Sequence, residues 1–461
     1  MRGVDRMIKG DLLIKNGIIV NSRGQIKNNI LIKDEKIVAL VNEKEDCKAD
    51  KIIDAKGRYI IPGGVDGHTH MMDPGYTERE DFTTGTIAAA YGGITTVVDH
   101  HRTIPAVYSV KELKEKIEYL KDKSVVDFGL KGGGSPENLE NLEDMWKAGI
   151  TGFKMFTCNL HGVKAMYSGY LYESFKKIAS MDGTVLIHSE DDSILKSNEE
   201  NLKAQGRTDF LSHLEWRSAL AEEVAVEAVI SVAKATKVRV NIAHVSQPNL
   251  LEKIKQARDE GYSIYAETCP HYLYLTEDDM ETKGPWVKFT PPMRLKKDLD
   301  RMWELYNKGY VTTIGSDHCP YPKADKLPGE KNIWDAPNGI PGIETSMRLM
   351  LNAVNEGKTT LNKVVETMCE NPAKLYGLYP AKGFIEVGAD ADIVILDMDK
   401  EEIISNDTVI SKCGWTPYDG MKLKGMPDIV LVRGNIVSEK GKVIGKPGFG
   451  KFIKRIKTIN P

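Results

Sequence analysis

IIPGGVDGHTH (residues 60–70) is a short apolar run that ends in two histidines, His68 and His70, two positions apart. On a β-strand that spacing puts both imidazoles on one face. Gly64–His70 is the first of eight comparable runs. The others are Ile94–His100, Val125–Leu130, Gly152–Phe156, Val185–Ser189, Val238–Ser246, Ser263–Cys269 and Val311–Asp317. Amphipathic stretches at Lys111–Lys121, Asn138–Ala148, Glu222–Ala235 and Asn249–Glu260 lie between them. Eight β/α units within residues 59–384 predict an α/β fold, a (β/α)8 TIM-like barrel with insertions. A doubly wound open sheet is the alternative that strand counting leaves open. The glycines at 132–134 follow the third run without the spacing of a phosphate cradle, and they read as a loop.

The flanks differ from this middle. Leu12–Val20 and Ile30–Leu40 are β-branched segments split by Asn-Gly, Ser-Arg-Gly and Asp-Glu turn signals. Ala391–Leu396 and Asp428–Val437 read the same way. The expectation is one small β-sandwich domain built from both ends, residues 1–58 plus 385–461, around the barrel of residues 59–384.

Barrel enzymes carry their chemistry at the carboxyl ends of the strands. The polar residues fall there repeatedly: His68 and His70 on the first run, Lys154 in the fourth, His188 on the fifth, His244 on the sixth, Asp317 and His318 on the eighth. A lysine inside the apolar GFKMF (152–156) is costly to bury unless it is paired. Four histidines, a lysine and an aspartate at one end of one barrel predict metal binding. Imidazole and carboxylate suit Zn, Ni, Co, Mn or Fe alike. A lysine whose amine is neutral takes up carbon dioxide to form a carbamate, an anion with two oxygens that joins two metals.

The remaining composition excludes several classes. The 461 residues carry 63 basic and 66 acidic side chains, a net charge of -3, which gives no nucleic-acid footprint. The basic tail Lys451–Lys457 reads as a solvated terminal segment. Six scattered cysteines without a CxxC pair fit a reduced, cytoplasmic protein. No signal peptide is expected, and no apolar run reaches the ~18 residues of a membrane span.

With these residues in view, the sequence resembles the amidohydrolase superfamily, and within it the cyclic amidohydrolases: dihydropyrimidinases/hydantoinases, allantoinases and dihydroorotases. The motifs that carry the resemblance span nearly the whole chain. They include IIPGGVDGHTH (60–70), EDFTTGTIAAAYGGITTVVD (80–99), GFKMF (152–156), IHSED (187–191), AHVS (243–246), AETCPHYL (266–273), TPPMR (290–294), SDHCPY (316–321), APNGIPGIET (336–345) and GADADIVILD (388–397).

The resemblance implies two divalent metal ions per subunit, zinc first, with Mn, Co, Ni or Fe as alternatives. His68, His70 and Asp317 would hold one and His188 and His244 the other, with Lys154 bridging both as N6-carboxylysine. Asp317 would be the base that passes a proton from the attacking water to the leaving nitrogen. Thr290 and Asn338 would hold the cyclic amide. His271 and His318 would stand behind the ligands or touch substrate; His100, His101, His161 and His213 receive no task, and Cys158 and Cys319 read as packing residues.

Opening of a hydantoin or dihydropyrimidine ring to an N-carbamoyl or ureido acid is the implied reaction, and allantoin is the alternative. The hydantoinase pattern has a Tyr five residues after the bridging lysine; Asn159 stands there, as a substitute hydrogen-bond donor, with Tyr167, Tyr170 and Tyr172 nearby. The dihydroorotase pattern has an Arg two residues after the second histidine of HxH; Met72 stands there, which lowers that branch. Arg79 reads as a surface charge. A non-enzymatic scaffold is the rival of another class, and the full ligand set speaks against it. The expected partners are a small cyclic amide or ureide and other copies of the chain, as a homotetramer or dimer, with no nucleic acid and no membrane.

Overall fold

A computed structural model of the chain describes residues 9–42 and 47–461. All eight runs are strands: Gly64–Thr69, Ile94–Asp99, Asp127–Gly133, Gly152–Phe156, Thr184–His188, Arg239–Ile242, Ile264–Thr268 and Thr313–Ile314. They pair in sequence order, each neighbour parallel. A parallel bridge from Thr69 to His318, with the His70 amide donating to the His318 carbonyl at 2.8 Å, joins the eighth unit to the first. The sheet is therefore a barrel and not the open alternative. Strands covered by helices outside and by side chains inside have two dry faces. Every residue of Ile94–Asp99 is accordingly buried, its polar residues included.

The four expected helices appear at Val110–Leu120, Leu142–Ala148, Ala219–Thr236 and Pro248–Asp259. Local chemistry sets their starts. The Ser109 side chain accepts from the Lys111 amide, and Pro248 sits in a first turn, where its missing N–H costs nothing.

Gly132 and Gly133 are not a loop but the end of the third barrel strand. A Cβ on Gly133 would lie 2.4 Å from His101 Cδ2 and 2.5 Å from Tyr108 Cε1, so bare backbone is what lets these neighbours close in.

The β-rich part has two sheets. Lys36–Asn42, Asn28–Lys33, Lys9–Lys15 and Lys48–Asp54 form one. The other runs Lys442–Val443, Asn435–Glu439, Lys422–Val432, Ile393–Ile403, Tyr59–Pro62, Ile18–Asn21, Gly24–Ile26, so strands from both ends of the sequence share it. Ile14, Ile19, Ile30, Ile32, Ile60, Ile393, Ile395 and Leu431 are among the residues of their common core.

A buried ionic cluster ties this part to the barrel. Lys382 Nζ lies 2.5 Å from Asp127 in the third barrel strand, 2.8 Å from Asp392 and 2.9 Å from Asp390. Arg433 also pairs with Asp127, and Lys36 with Asp390 at 2.5 Å.

The basic tail is solvated on one side, with Lys451, Lys454, Ile456 and Lys457 exposed, but it is also docked on the barrel. The Lys451 carbonyl accepts from the Phe128 amide (2.9 Å), and the Ile453 amide returns a bond to Phe128 (2.8 Å). The Arg455 guanidinium stacks 3.6 Å over Trp146, and Thr458 is bonded by Arg239. The tail thus straps the amino-terminal floor of the barrel, because Phe452, Ile453 and the Arg455 stem find partners there. No helix among the described residues is long and apolar enough to cross a membrane.

Candidate active site

The carboxyl ends of the barrel strands bring His68, His70, Lys154, His188, His244 and Asp317 to the wall of one narrow cavity of about 30 Å³, which Thr290 and Asn338 also line. Asp317 Oδ1 lies 3.1 Å from His68 Nε2 and 3.2 Å from His70 Nε2. Lys154 Nζ is 3.4 Å from His68 Nε2, and His188 Nδ1 is 2.9 Å from His244 Nε2. All six ligand candidates are buried or nearly so. His244 (φ 37°) and Asp317 (φ 46°) adopt left-handed backbone, a conformation that costs about 1–3 kcal/mol outside glycine and collects at functional sites.

The protonation states suit a cation. Burial keeps His70 and His244 well below the usual imidazole range and lowers His188, which leaves neutral rings. Burial and Lys154 push His68 the same way, but the Asp317 and Glu267 carboxylates outweigh them and raise it. Burial opposes the charge on Asp317, yet His68 and His70 hold its carboxyl well below the carboxylate range. Burial lowers Lys154 to about 8. The buried Nδ1 atoms of His70 and His244 and both ring nitrogens of His100 have no partner. Two ligand groups, His68–His70–His100 and His68–His244–Asp317, each place three donor atoms within 4.8 Å of one another. Donor type, burial and these orphaned nitrogens all fit a divalent cation.

Several residues that the sequence left without a role stand around this set. Glu267 takes His68 Nδ1 at 2.5 Å, which fixes the ring so that Nε2 faces the cavity. Glu190 is bonded by His188 Nε2 (2.7 Å), by the Thr290 hydroxyl (2.7 Å) and by Arg217. Burial would raise the Glu190 carboxyl, and Arg217 with His188 brings it down to about 2. His100 packs 3.8 Å from the His70 ring, and His161 and Arg102 line the cavity. The signal for the two glutamates was present: a carboxylate in an apolar strand, or two residues after a candidate ligand, requires a buried partner.

Other expectations fall elsewhere. Asn159 is exposed and outside the lining; its amide donates to Asp192 (2.8 Å) and Tyr167 (3.3 Å). Tyr167, Tyr170 and Tyr172 are 55%, 47% and 42% exposed, on the surface and away from the cavity. His271 is buried 4.3 Å from the Phe289 ring, and His318 accepts from the Gly342 amide (3.2 Å); neither lines the cavity. Arg79 is no surface charge. It is buried, bonded to the Pro320 carbonyl (3.0 Å) and Cys319 Sγ (3.3 Å), and stacked 3.5 Å from the centre of the Tyr321 ring.

The amidohydrolase family model matches residues 59–437. The chain is 38% identical over 449 residues to an L-hydantoinase of Paenarthrobacter aurescens, covering 96% of this chain and 98% of that one. It is 35% identical over 457 residues to a D-hydantoinase of Ralstonia pickettii, covering 97% and 99%. The solved L-hydantoinase (dihydropyrimidinase) from Arthrobacter aurescens superposes with a TM-score of 0.95 at 37% identity, over 97% of this chain and all of that one. A barrel with this histidine, lysine and aspartate set, matched at this length and identity, makes the chain a member of the amidohydrolase family.

Proposed function

We propose that the protein hydrolyses the C–N bond of a cyclic amide, a hydantoin or dihydropyrimidine ring, to give an N-carbamoyl or ureido acid. The observation that carries this reading is the convergence of His68, His70, Lys154, His188, His244 and Asp317 on one cavity, in a chain alike over its whole length to hydantoinases. His68, His70 and Asp317 would hold one divalent cation and His188 and His244 a second, with Lys154 between them as a carbamate. Zinc is the first choice, and manganese, cobalt, nickel or iron satisfy the same donors. Such cations supply Lewis acidity, which polarises a ring carbonyl and acidifies water.

The residues do the rest. Asp317 stays ionised at neutral pH and would take the proton of the attacking water and return it to the leaving ring nitrogen. Oxygen bonds to the carbonyl carbon, the C–N pair leaves with nitrogen, and the proton follows it. Lys154, brought to about 8 by burial, has a substantial neutral fraction near pH 8, and the neutral amine is the form that takes up carbon dioxide. Thr290 and Asn338 would orient the amide; the buried Asn338 Oδ1 has no protein partner and is a ready acceptor for a ring N–H. A cavity of about 30 Å³ holds water but not a ring.

The same reading includes a cytoplasmic homotetramer or dimer and a division into a barrel of residues 59–384 and a β-sandwich of residues 1–58 plus 385–461. The test of function is a hydrolysis panel with metal-loaded protein: hydantoin, dihydrouracil, allantoin and dihydroorotate. Turnover of hydantoin or dihydrouracil is expected to lead. Allantoin as the clear best substrate would replace the hydantoinase reading, and no turnover of any ring would refute the class.

A further inference from the structure

One buried guanidinium lines this cavity and a second stands behind its wall, and neither has an acidic partner. Arg102, on the segment that follows the second barrel strand, is only 9% exposed and lines the cavity beside His161, His70 and Cys319. Its protein partner is the Tyr321 hydroxyl. The other face of that story is Arg79, 5% exposed, which stacks on the same Tyr321 ring and bonds Cys319, itself a lining residue. Among the described residues no carboxylate comes within ion-pair distance of either. The third nearby guanidinium, Arg217, has Glu190.

A buried cation left unpaired is costly, and proteins keep one where a ligand completes the pair. A guanidinium is the group best matched to a carboxylate, which it binds through two parallel hydrogen bonds. We propose that the ring this enzyme opens bears a carboxylate substituent, and that Arg102 receives it. This inference rests on the cyclic-amide reading above and narrows it to anionic rings. Met72, buried at 1% exposure, occupies the position where dihydroorotases are expected to have their arginine. Arg102 follows a different strand, so the anion would lie on another side of the ring. The bond chemistry is unchanged: water oxygen bonds to the ring carbonyl, the C–N bond breaks, the proton goes to nitrogen, and the carboxylate takes no part beyond binding.

The test compares 5-carboxymethylhydantoin with its neutral carboxamide isostere and with 5-methylhydantoin, on metal-loaded wild-type protein and on Arg102→Gln and Arg102→Lys. A charge-assisted pair in a dry site predicts a kcat/KM preference for the acid over the amide of about 10- to 100-fold. That ratio should collapse toward one in Arg102→Gln and partly return in Arg102→Lys, chiefly through KM. The wild-type ratio needs no variant, so poor folding of a mutant leaves the question answerable. Equal rates for acid and amide in the wild type overturn the proposal while the cyclic-amide reading stands. An acid preference that survives Arg102→Gln overturns the assignment to Arg102. No hydrolysis of any of the three rings overturns the cyclic-amide reading and this inference with it.

Discussion

Replacing Lys382 with methionine should strand one identifiable charge. In the wild type three cations, Lys382, Arg433 and Lys36, meet three carboxylates, Asp127, Asp390 and Asp392. Lys382 and Asp127 are 0% exposed, Asp392 2% and Asp390 9%. Without Lys382, Asp127 keeps Arg433 and Asp390 keeps Lys36. Asp392 keeps only the Arg433 amide, at 2.8 Å. Removing one member of a buried pair costs about 3–5 kcal/mol, a large part of the about 5–15 kcal/mol that holds a typical domain folded. The assay is urea unfolding followed by tryptophan fluorescence, read as the midpoint.

The pH dependence has a definite sign. Burial already raises the Asp392 carboxyl, and Lys382 opposes it. Loss of Lys382 raises it further, so the native state of the variant holds a proton that the unfolded chain releases. The deficit should therefore be full at pH 8 and shrink as the pH falls toward 5. Adding Asp392→Asn to Lys382→Met removes the stranded charge and should restore more than half of the loss. A deficit below about 1 kcal/mol, or no recovery in the double variant, would refute the reasoning.

Other outcomes follow from the same geometry. Gly133→Ala places a Cβ 2.4 Å from His101 Cδ2, and overpacking of that kind should lower the thermal midpoint by the equivalent of about 1–3 kcal/mol. Glu190→Gln leaves Arg217 buried without its carboxylate, and should cost about 3–5 kcal/mol at pH 7 together with most of the turnover. Glu190 is held at about 2, against its ordinary 4.5, so its contribution is present above the ordinary value and disappears as the pH falls toward the lower one. Acid titration of wild-type stability should be steeper in that window than that of the variant. Lys154→Ala should lose bound metal, measured by elemental analysis after dialysis, and with it hydrolysis; a variant that retains both would exclude the bridging carbamate.

The barrel was legible because strands dry on both faces must be written as apolar runs, and because the polar residues that interrupt the pattern do so at one end. His68, His70, Lys154, His188, His244 and Asp317 all stand out on that basis. What surrounds them does not. Arg102 and Arg79 look like any charge in a polar segment, and only tertiary closure shows that both are buried without an acid. Glu267 pairs with His68, and Glu190 with Arg217 and Thr290 as well as with nearby His188, and the distant partners leave no local mark. Nothing local marks Gly132 and Gly133 as strand residues, because close backbone approach leaves no trace in the sequence. The docking of the tail is not legible because arginine stems count as charge in a composition and as packing surface in a fold. Asn159, placed by its offset from Lys154, points instead to Asp192 on a neighbouring segment, which spacing along the sequence does not encode.

The shared sheet of the β-rich part has a consequence for the order of synthesis. Tyr59–Pro62 waits for its antiparallel partner until Ile393–Ile403 has been made, after the whole barrel. On one side it can pair early, with Ile18–Asn21, but its other edge stays open while the intervening chain leaves the ribosome. An apolar edge unpaired for that long is a template for the wrong strand. The nascent chain is therefore most exposed to misassembly before residue 393 appears, and a pause in translation just upstream would lengthen that exposure more than a pause anywhere after it.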